Sequence, residues 1–299
     1  MGAEVLKEAQ REEKAVGEKL AGGKLREPYC YRVRYRDAGH DCQADICVTK
    51  SHGYGYDLRL TLGGYTFVGS NLCDFELEDP SQAEAAAREF CLMKWGGYVA
   101  YGDRTMPYAY ALQRYSMEVE IPVEAERREN GERVAGMIRF AYRMEACDSS
   151  RARSRCYCND REIYLDDTVC TEFSLAVDGH IYKVDRPTTY FEQALSQICR
   201  KCGREYLLRC CFTCQYSDYS PYGCDDFGSM LCYREHKEVY LTVNDKAGYF
   251  DRLEGLDCEI EQETGVCGEF EERTRCEGYR GMVDGIGGIG CLLYTSRCV

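Results

Sequence analysis

The sequence predicts an α+β protein: an antiparallel, duplicated β-sheet with covering helices, followed by a cysteine-rich, metal-stapled module. Three observations predict it. Apolar and polar residues alternate with period two over much of residues 29–184. Turn pairs containing glycine punctuate those runs at 63–64, 130–131 and 178–179. Seven cysteines then crowd into residues 199–232.

The chain has 299 residues, enough for two domains of ordinary size. Hydrophobic residues make up 44% and charged residues 30%, the balance of a globular chain. No apolar run is long enough to span a bilayer. Residues 1–20 are charged throughout and lack the apolar segment of an export signal, so the expected location is cytoplasmic. A net charge of −13 repels phosphate backbones and argues against nucleic acid as a partner. The local cluster Arg151, Arg153 and Arg155 reads as a solvated loop.

In order along the chain, residues 4–20 read as a polar helix within an N-terminal arm, 1–28, ended by Gly22-Gly23. From Tyr29 the period becomes two: Tyr29, Tyr31, Val33 and Tyr35 alternate with Cys30, Arg32, Arg34 and Arg36. Ala44, Ile46 and Val48 mark the next strand. Leu58, Leu60 and Leu62 lead through Gly63-Gly64 into Tyr65 and Phe67, a hairpin with a tight turn. Asp79-Pro80-Ser81 predicts the start of a helix running to Lys94, closed by Gly96-Gly97, with Trp95 as a core anchor. Met117, Val119 and Ile121 alternate with Glu118 and Glu120, and Asn130-Gly131 predicts a two-residue turn into a strand over 134–142. Strands follow at 162–165 and 171–177, the latter turning at Asp178-Gly179 into 180–184. Residues 187–198 read as a helix.

Two halves, 29–97 and 115–198, read as a repeat within a domain spanning 29–198. Leu58-x-Leu60-x-Leu62-Gly63-Gly64 aligns with Phe173-x-Leu175-x-Val177-Asp178-Gly179 at a constant offset of 115. Each hairpin is followed by a helix containing Gln-Ala (Gln82-Ala83 and Gln193-Ala194).

The 21 cysteines, in a chain without an export signal, are expected to be reduced, so metal ligation or burial is favoured over disulfides. Cys30, Cys47, Cys73 and Cys170 sit singly in apolar patterns and read as small core residues. The region 199–284 is the candidate metal module. A tetrahedral zinc or iron site needs four soft ligands, and a C-x2-C turn places two on one side of the ion. The simplest local set is Cys199, Cys202, Cys211 and Cys214. A competing set is Cys211, Cys214, Cys232 and Cys267, with Phe270 placed to cover it. His236 can replace Cys267, because Cys232-x3-His236 is a workable ligand spacing. Thioredoxin-like chemistry is disfavoured, since Cys199 ends a helix and faces its negative dipole end.

The stretch CFTCQYSDYSPYGCDDFGSMLCYREHKEVYL followed by QETGVCGEFEER resembles a recurrent C-terminal segment of an uncharacterised bacterial domain family of unknown function. The resemblance covers residues 205–282 and reaches the β-rich part only vaguely. It implies Cys211, Cys214, Cys232 and Cys267 as the ligand set and leaves Cys199, Cys202, Cys210 and Cys224 outside the motif. It implies no activity.

Other chemistry is thin. The four histidines, His40, His52, His180 and His236, form no ligand motif, and Asp166-Asp167 and Asp225-Asp226 read as solvated turns. The 25 tyrosines suit a contact surface as well as strand cores. Residues 285–299 read as an adapter-derived tail: CLLYTSRCV back-translates to a sequence resembling the transposon mosaic end, so Cys291 and Cys298 carry no weight. The function expected is a non-enzymatic protein that binds a protein partner and carries a structural zinc. The alternative is an iron–sulfur or thiol-based redox protein or enzyme in which the same thiolates hold a cluster.

Overall fold

In this computed structural model the described residues are 29–50, 56–97, 99–100, 104–105, 107–145, 155–158, 161–164, 167–185, 191–220, 227 and 229–273. The N-terminal arm, most of the Arg151 cluster, Asp166, Asp225-Asp226, His52, Cys224 and the tail over 285–299 therefore lie outside the described residues.

Strands β1 (Tyr29–Arg36) and β2 (Asp41–Lys50) form a hairpin, and β3 (Tyr56–Leu62) and β4 (Tyr65–Gly69) follow it. Short strands β5 (Glu76–Leu77), β6 (Leu92–Trp95), β7 (Val99–Ala100), β8 (Arg104–Thr105) and β9 (Ala109–Leu112) come next. The second half holds β10 (Ser116–Arg127), β11 (Arg133–Glu145), β12 (Arg155–Cys158), β13 (Arg161–Tyr164), β14 (Asp167–Val177) and β15 (His180–Lys183). The main sheet is antiparallel, in the order β15-β14-β11-β10-β1-β2-β3-β4-β5-β9-β6. Its centre is thus two four-stranded meanders, β1 to β4 and β10-β11-β14-β15, joined by antiparallel pairing of β1 with β10, where Val33 faces Val119. The two terminal hairpins hold equivalent places, with Leu62 opposite Tyr65 and Val177 opposite His180.

The alternation sorts the faces as the pattern requires. Tyr31, Val33, Tyr35, Val119, Ile121 and Phe140 are buried, while Arg34, Arg36, Glu118 and Arg139 pair with acids or bases on the outer face. Both tight turns need φ above zero at two positions, and Gly63-Gly64 (56° and 90°) and Asp178-Gly179 (51° and 79°) supply it. The pairing of β11 with β14 slips between Arg139 and Ala141, and Glu172 takes φ +56 there. This bulge absorbs one residue, so Phe173 still points inward and stacks on Phe140 at 5.5 Å.

Three covers close the buried face. Over the first meander Asp79 caps a short turn, Pro80–Gln82, that continues as α1 (Ala83–Ala86) and delivers Phe90 against Tyr35 and Phe67. Over the second lies α2 (Phe191–Cys202), whose Phe191 meets Phe140 and Phe173. Between them sits a small sheet of β17 (Ser217–Tyr219), β18 (Ser229–Cys232) and β19 (Glu259–Gln262), with helices α3 (Lys237–Tyr240) and α4 (Lys246–Arg252) at its rim. Strand β16 (Tyr206–Arg209) pairs with β10 alongside residues 124–127, beyond the reach of β1. The expected boundary at residue 199 therefore falls inside α2, and the cysteine-rich region shares one continuous core with the sheet.

Several expectations are corrected. The helix expected to reach Lys94 stops after one turn. Leu92–Trp95 is a strand instead, because its backbone pairs with β9, Leu92 opposite Leu112 and Trp95 opposite Ala109. Trp95 is half-buried and donates to Glu76 rather than anchoring the core. Gly96 does not cap a helix. It turns tightly at φ +92, where a Cβ would lie 2.2 Å from the Pro107 carbonyl oxygen. Asn130-Gly131 sits in a wider loop than expected, closed by Arg127 N donating to the Glu132 carbonyl, because Arg128 is held by Glu205 and Glu272 elsewhere in the fold. The helix expected over 187–198 is present from Phe191 and runs on to Cys202, while 187–190 lie outside the described residues. Cys30 and Cys47 are not core residues. They face each other across β1 and β2 on the outer face and form a disulfide, which also overturns the expectation of reduced thiols there. Cys73 is half-buried, and its thiol donates to Asn71. The side chain of Cys170 lies outside the described residues.

Phe173 is fully buried between two other rings, so Phe173→Ala should lower unfolding stability by about 3–5 kcal/mol, read from urea midpoints. The disulfide spans 17 residues, and the loop-entropy account gives such a closure about 3 kcal/mol. The double variant Cys30→Ser/Cys47→Ser should lose about that much, and the parent should lose the same on reduction.

Candidate metal centre

The site is assembled from three segments that packing, not proximity in sequence, brings together. After β16 the chain turns through Cys211–Thr213, a single 3-10 turn fixed at both ends. The Cys211 amide donates to the Gly265 carbonyl at 2.6 Å and the Phe212 amide to Glu263 at 3.0 Å. Thr213 Oγ1 donates to the Leu208 carbonyl at 2.5 Å, and the Cys214 amide closes the turn onto the Cys211 carbonyl at 3.1 Å. The segment 271–273 then zips against it. Cys214 bridges with Glu272, the Gln215 amide donates to Glu271, and the Arg273 amide donates to Thr213. Strand pairing brings the third cysteine in, since Cys232 of β18 stands opposite Ser217 on one side and Glu259 on the other.

Cys211, Cys214, Cys232 and Cys267 line one cavity of about 10 Å³, together with Arg234, Glu261, Val266 and Phe270. That volume suits a single ion or water and no organic molecule. Phe270 is buried and closes one side, and the Arg209 guanidinium stacks on its outer ring face at 4.5 Å. Arg209 in turn pairs with Glu124 at 2.7 Å and Glu126 at 2.9 Å, so the lid of the cavity is tied to β10. Arg234 forms an ion pair with Glu259 and donates to the Cys267 sulfur. His236 lies in the turn Arg234–His236 and does not line the cavity.

The cysteines fall into two groups. Cys199 and Cys202 lie in the last turn of α2, so this C-x2-C forms a helix end. Gly203 allows it, since a Cβ there would lie 2.6 Å from the Cys199 carbonyl oxygen. Both thiols neighbour Cys210, which is fully buried, and neither lines the cavity of Cys211. The adjacent residues Cys210 and Cys211 thus serve opposite sides of one strand end. Burial raises five of these thiols. Cys202 and Cys210 are each pushed up to about 11, Cys232 to about 12, and Cys199 and Cys211 well above the ordinary range. Neutral buried thiols are poor nucleophiles, which leaves packing or ligation as their chemistry.

The donor set has the softness, number and enclosure that a structural zinc takes, which is four thiolates with no open position. Among the described residues no three His, Cys, Asp or Glu side chains stand in ligating geometry, so holding an ion requires the four sulfurs to draw inward. Sequence reasoning missed Arg234, Glu261 and Arg273. Their signal is positional only: Arg234 and Glu261 belong to strand and turn residues that pairing alone aims at the thiols.

Fold and site together define an α+β protein with one large antiparallel sheet whose buried face is closed in part by a cysteine-lined module. The chain belongs to DUF6304, a family of unknown function, whose sequence model matches residues 29–217. The match takes in the sheet with Cys211 and Cys214 and stops before Cys232 and Cys267, so it covers only the start of the C-terminal cysteine motif. No curated protein and no solved structure matches the chain. Among the described residues, no helix is long and apolar enough to cross a membrane.

The buried thiols have a consequence at high pH. Cys202 and Cys210 titrate near 9 when unfolded and near 11 when folded, so the folded state holds their protons more tightly. Their contribution is complete below about pH 9 and is lost as pH rises through about 11. The urea midpoint should therefore fall between about pH 8 and about pH 10, and less so in a Cys202→Ala/Cys210→Ala variant.

Proposed function

We propose that this chain is a non-enzymatic binding protein whose C-terminal region is stapled by a structural zinc. Cys211, Cys214, Cys232 and Cys267 would hold the ion. The observation that carries this reading is the convergence of four cysteines from three separate segments on one ion-sized cavity. When bound, zinc would cross-link the 211–214 turn, β18 and the 267–273 segment, adding to the apolar core that this region shares with the sheet. Asp218, Glu261, Gln262 and Glu263 are buried there beside Phe212, Tyr219, Met230, Leu231 and Ile260, so the core of this region mixes polar and apolar groups. The outer sheet face supports the binding role. It carries a half-open groove of about 940 Å³ lined by Arg32, Arg34, Glu118, Glu120, Glu172 and Lys183 among others, a polar surface suited to a protein partner.

Elemental analysis and an absorption spectrum of the full chain, purified without oxygen, test the metal. About one zinc per chain without a visible band supports the reading. Iron with sulfide and a band near 400 nm would move the redox alternative forward. A folded protein with no metal would overturn both. Cys211→Ser and Cys214→Ser should each lower bound zinc and loosen residues 211–273 to proteolysis while leaving the sheet folded. Cys202→Ser should leave zinc content unchanged, because that thiol lies on the other side of the strand end.

A further inference from the structure

Among the described residues, Arg273 is a buried cation that forms no ion pair. Its residue is 3% exposed. Its Nε donates to the Cys214 carbonyl at 3.1 Å and its Nη2 to the Ser217 carbonyl. Its Nη1 is buried with no hydrogen-bond partner. Among the described residues no carboxylate forms an ion pair with it. Three other arginines near the site are neutralised: Arg209 by Glu124 and Glu126, Arg234 by Glu259, and Arg128 by Glu272. A guanidinium cannot shed its proton to escape burial, so its charge has to be balanced from nearby.

The residue sits where such a balance is available. The 271–273 segment is zipped to the Cys211–Cys214 turn through the Arg273 amide on Thr213 and the bridge of Cys214 with Glu272. Four thiolates around one divalent ion carry excess negative charge. We propose that Arg273 is the positioning residue and buried counter-charge of this tetrathiolate centre. Its fork fixes the Cys214 and Ser217 carbonyls, at and just beyond the end of the second C-x2-C turn, and its charge offsets that of the loaded site. This inference rests on the metal reading above and names the residue outside the ligand set on which affinity depends.

The test compares the full chain with Arg273→Met and Arg273→Lys. Zinc affinity is measured by competition with a chelator, and the thiolate-to-cobalt charge-transfer band is recorded after substitution with cobalt. Arg273→Met should lose roughly 10–100-fold in zinc affinity, the usual effect of removing a group that supports metal ligands. Arg273→Lys keeps the charge without the fork, and should recover to within roughly tenfold of the parent with a parent-like cobalt band. Parent-like affinity in a folded Arg273→Met overturns the proposal while leaving zinc binding intact. A parent that binds no zinc overturns the metal reading and this inference with it. If Arg273→Met does not fold, Arg273→Lys decides: affinity as low as that of Cys214→Ser would overturn the counter-charge role.

Discussion

Strand β10 is the constraint on which the structure depends. One of its edges is paired with β11 along nearly its whole length, from Ser116 opposite Arg143 to Glu126 opposite Arg133. Its other edge is divided: β1 takes residues 116–120 and β16 takes 124–127. That division joins the two meanders into one sheet and attaches the cysteine-rich region to it by backbone hydrogen bonds. Both ends of the division are backed by buried apolar side chains, from Met117 through Ala125. A slip of one residue would turn that whole row outward, so the register is held by burial as well as by hydrogen bonds.

The three covers follow from this. A sheet this wide with one apolar face has to bury it, and two short helices cover only its flanks. The strip between them is closed by β17, β18 and β19, whose contacts with the sheet are partly polar. Tyr31 of β1 reaches Gln262 and Thr264, each at 3.3 Å. Tyr219 donates to Glu263 at 3.3 Å, and Tyr240 donates to Asp218 at 2.9 Å. Phe227, at φ +64, inserts between Tyr31, Phe140 and Phe191 and supplies the apolar contact at the centre. A lid built from tyrosines, carboxylates and amides fixes its own geometry through directional bonds, while Met230, Leu231 and Ile260 supply apolar burial beneath it.

The cysteines show how one residue type divides its roles by environment. On the outer face, directly opposed Cys30 and Cys47 are close enough to bond. In the interior, Cys199, Cys202 and Cys210 fill space at the end of α2, where burial keeps them neutral. At the seam between turn and small sheet, Cys211, Cys214, Cys232 and Cys267 meet at one cavity. Nothing in the spacing distinguishes these roles, because Cys199-x2-Cys202 and Cys211-x2-Cys214 are written alike.

By itself the sequence determined the local elements whose cause is local. The period-two runs at Tyr31–Tyr35 and 117–121, the turns at Gly63-Gly64 and Asp178-Gly179, and the existence of α2 are all legible, because alternation and positive φ are properties of neighbouring residues. The family of unknown function was legible too, although the match falls mainly on the sheet and takes in only the first C-x2-C of the cysteine motif that suggested it. What only the tertiary structure decided are the features that depend on a distant partner. Helix propensity over 83–94 lost to pairing of Leu92–Trp95 with β9. Cys30 and Cys47 became a covalent pair because the β1–β2 register set them face to face. Of the alternative ligand sets, packing gathered Cys211 and Cys214 with residues 18 and 53 positions beyond Cys214, and turned the nearer pair away. Spacing along a chain fixes which residues can be neighbours in a turn, whereas a site made across strands is fixed by pairing and burial.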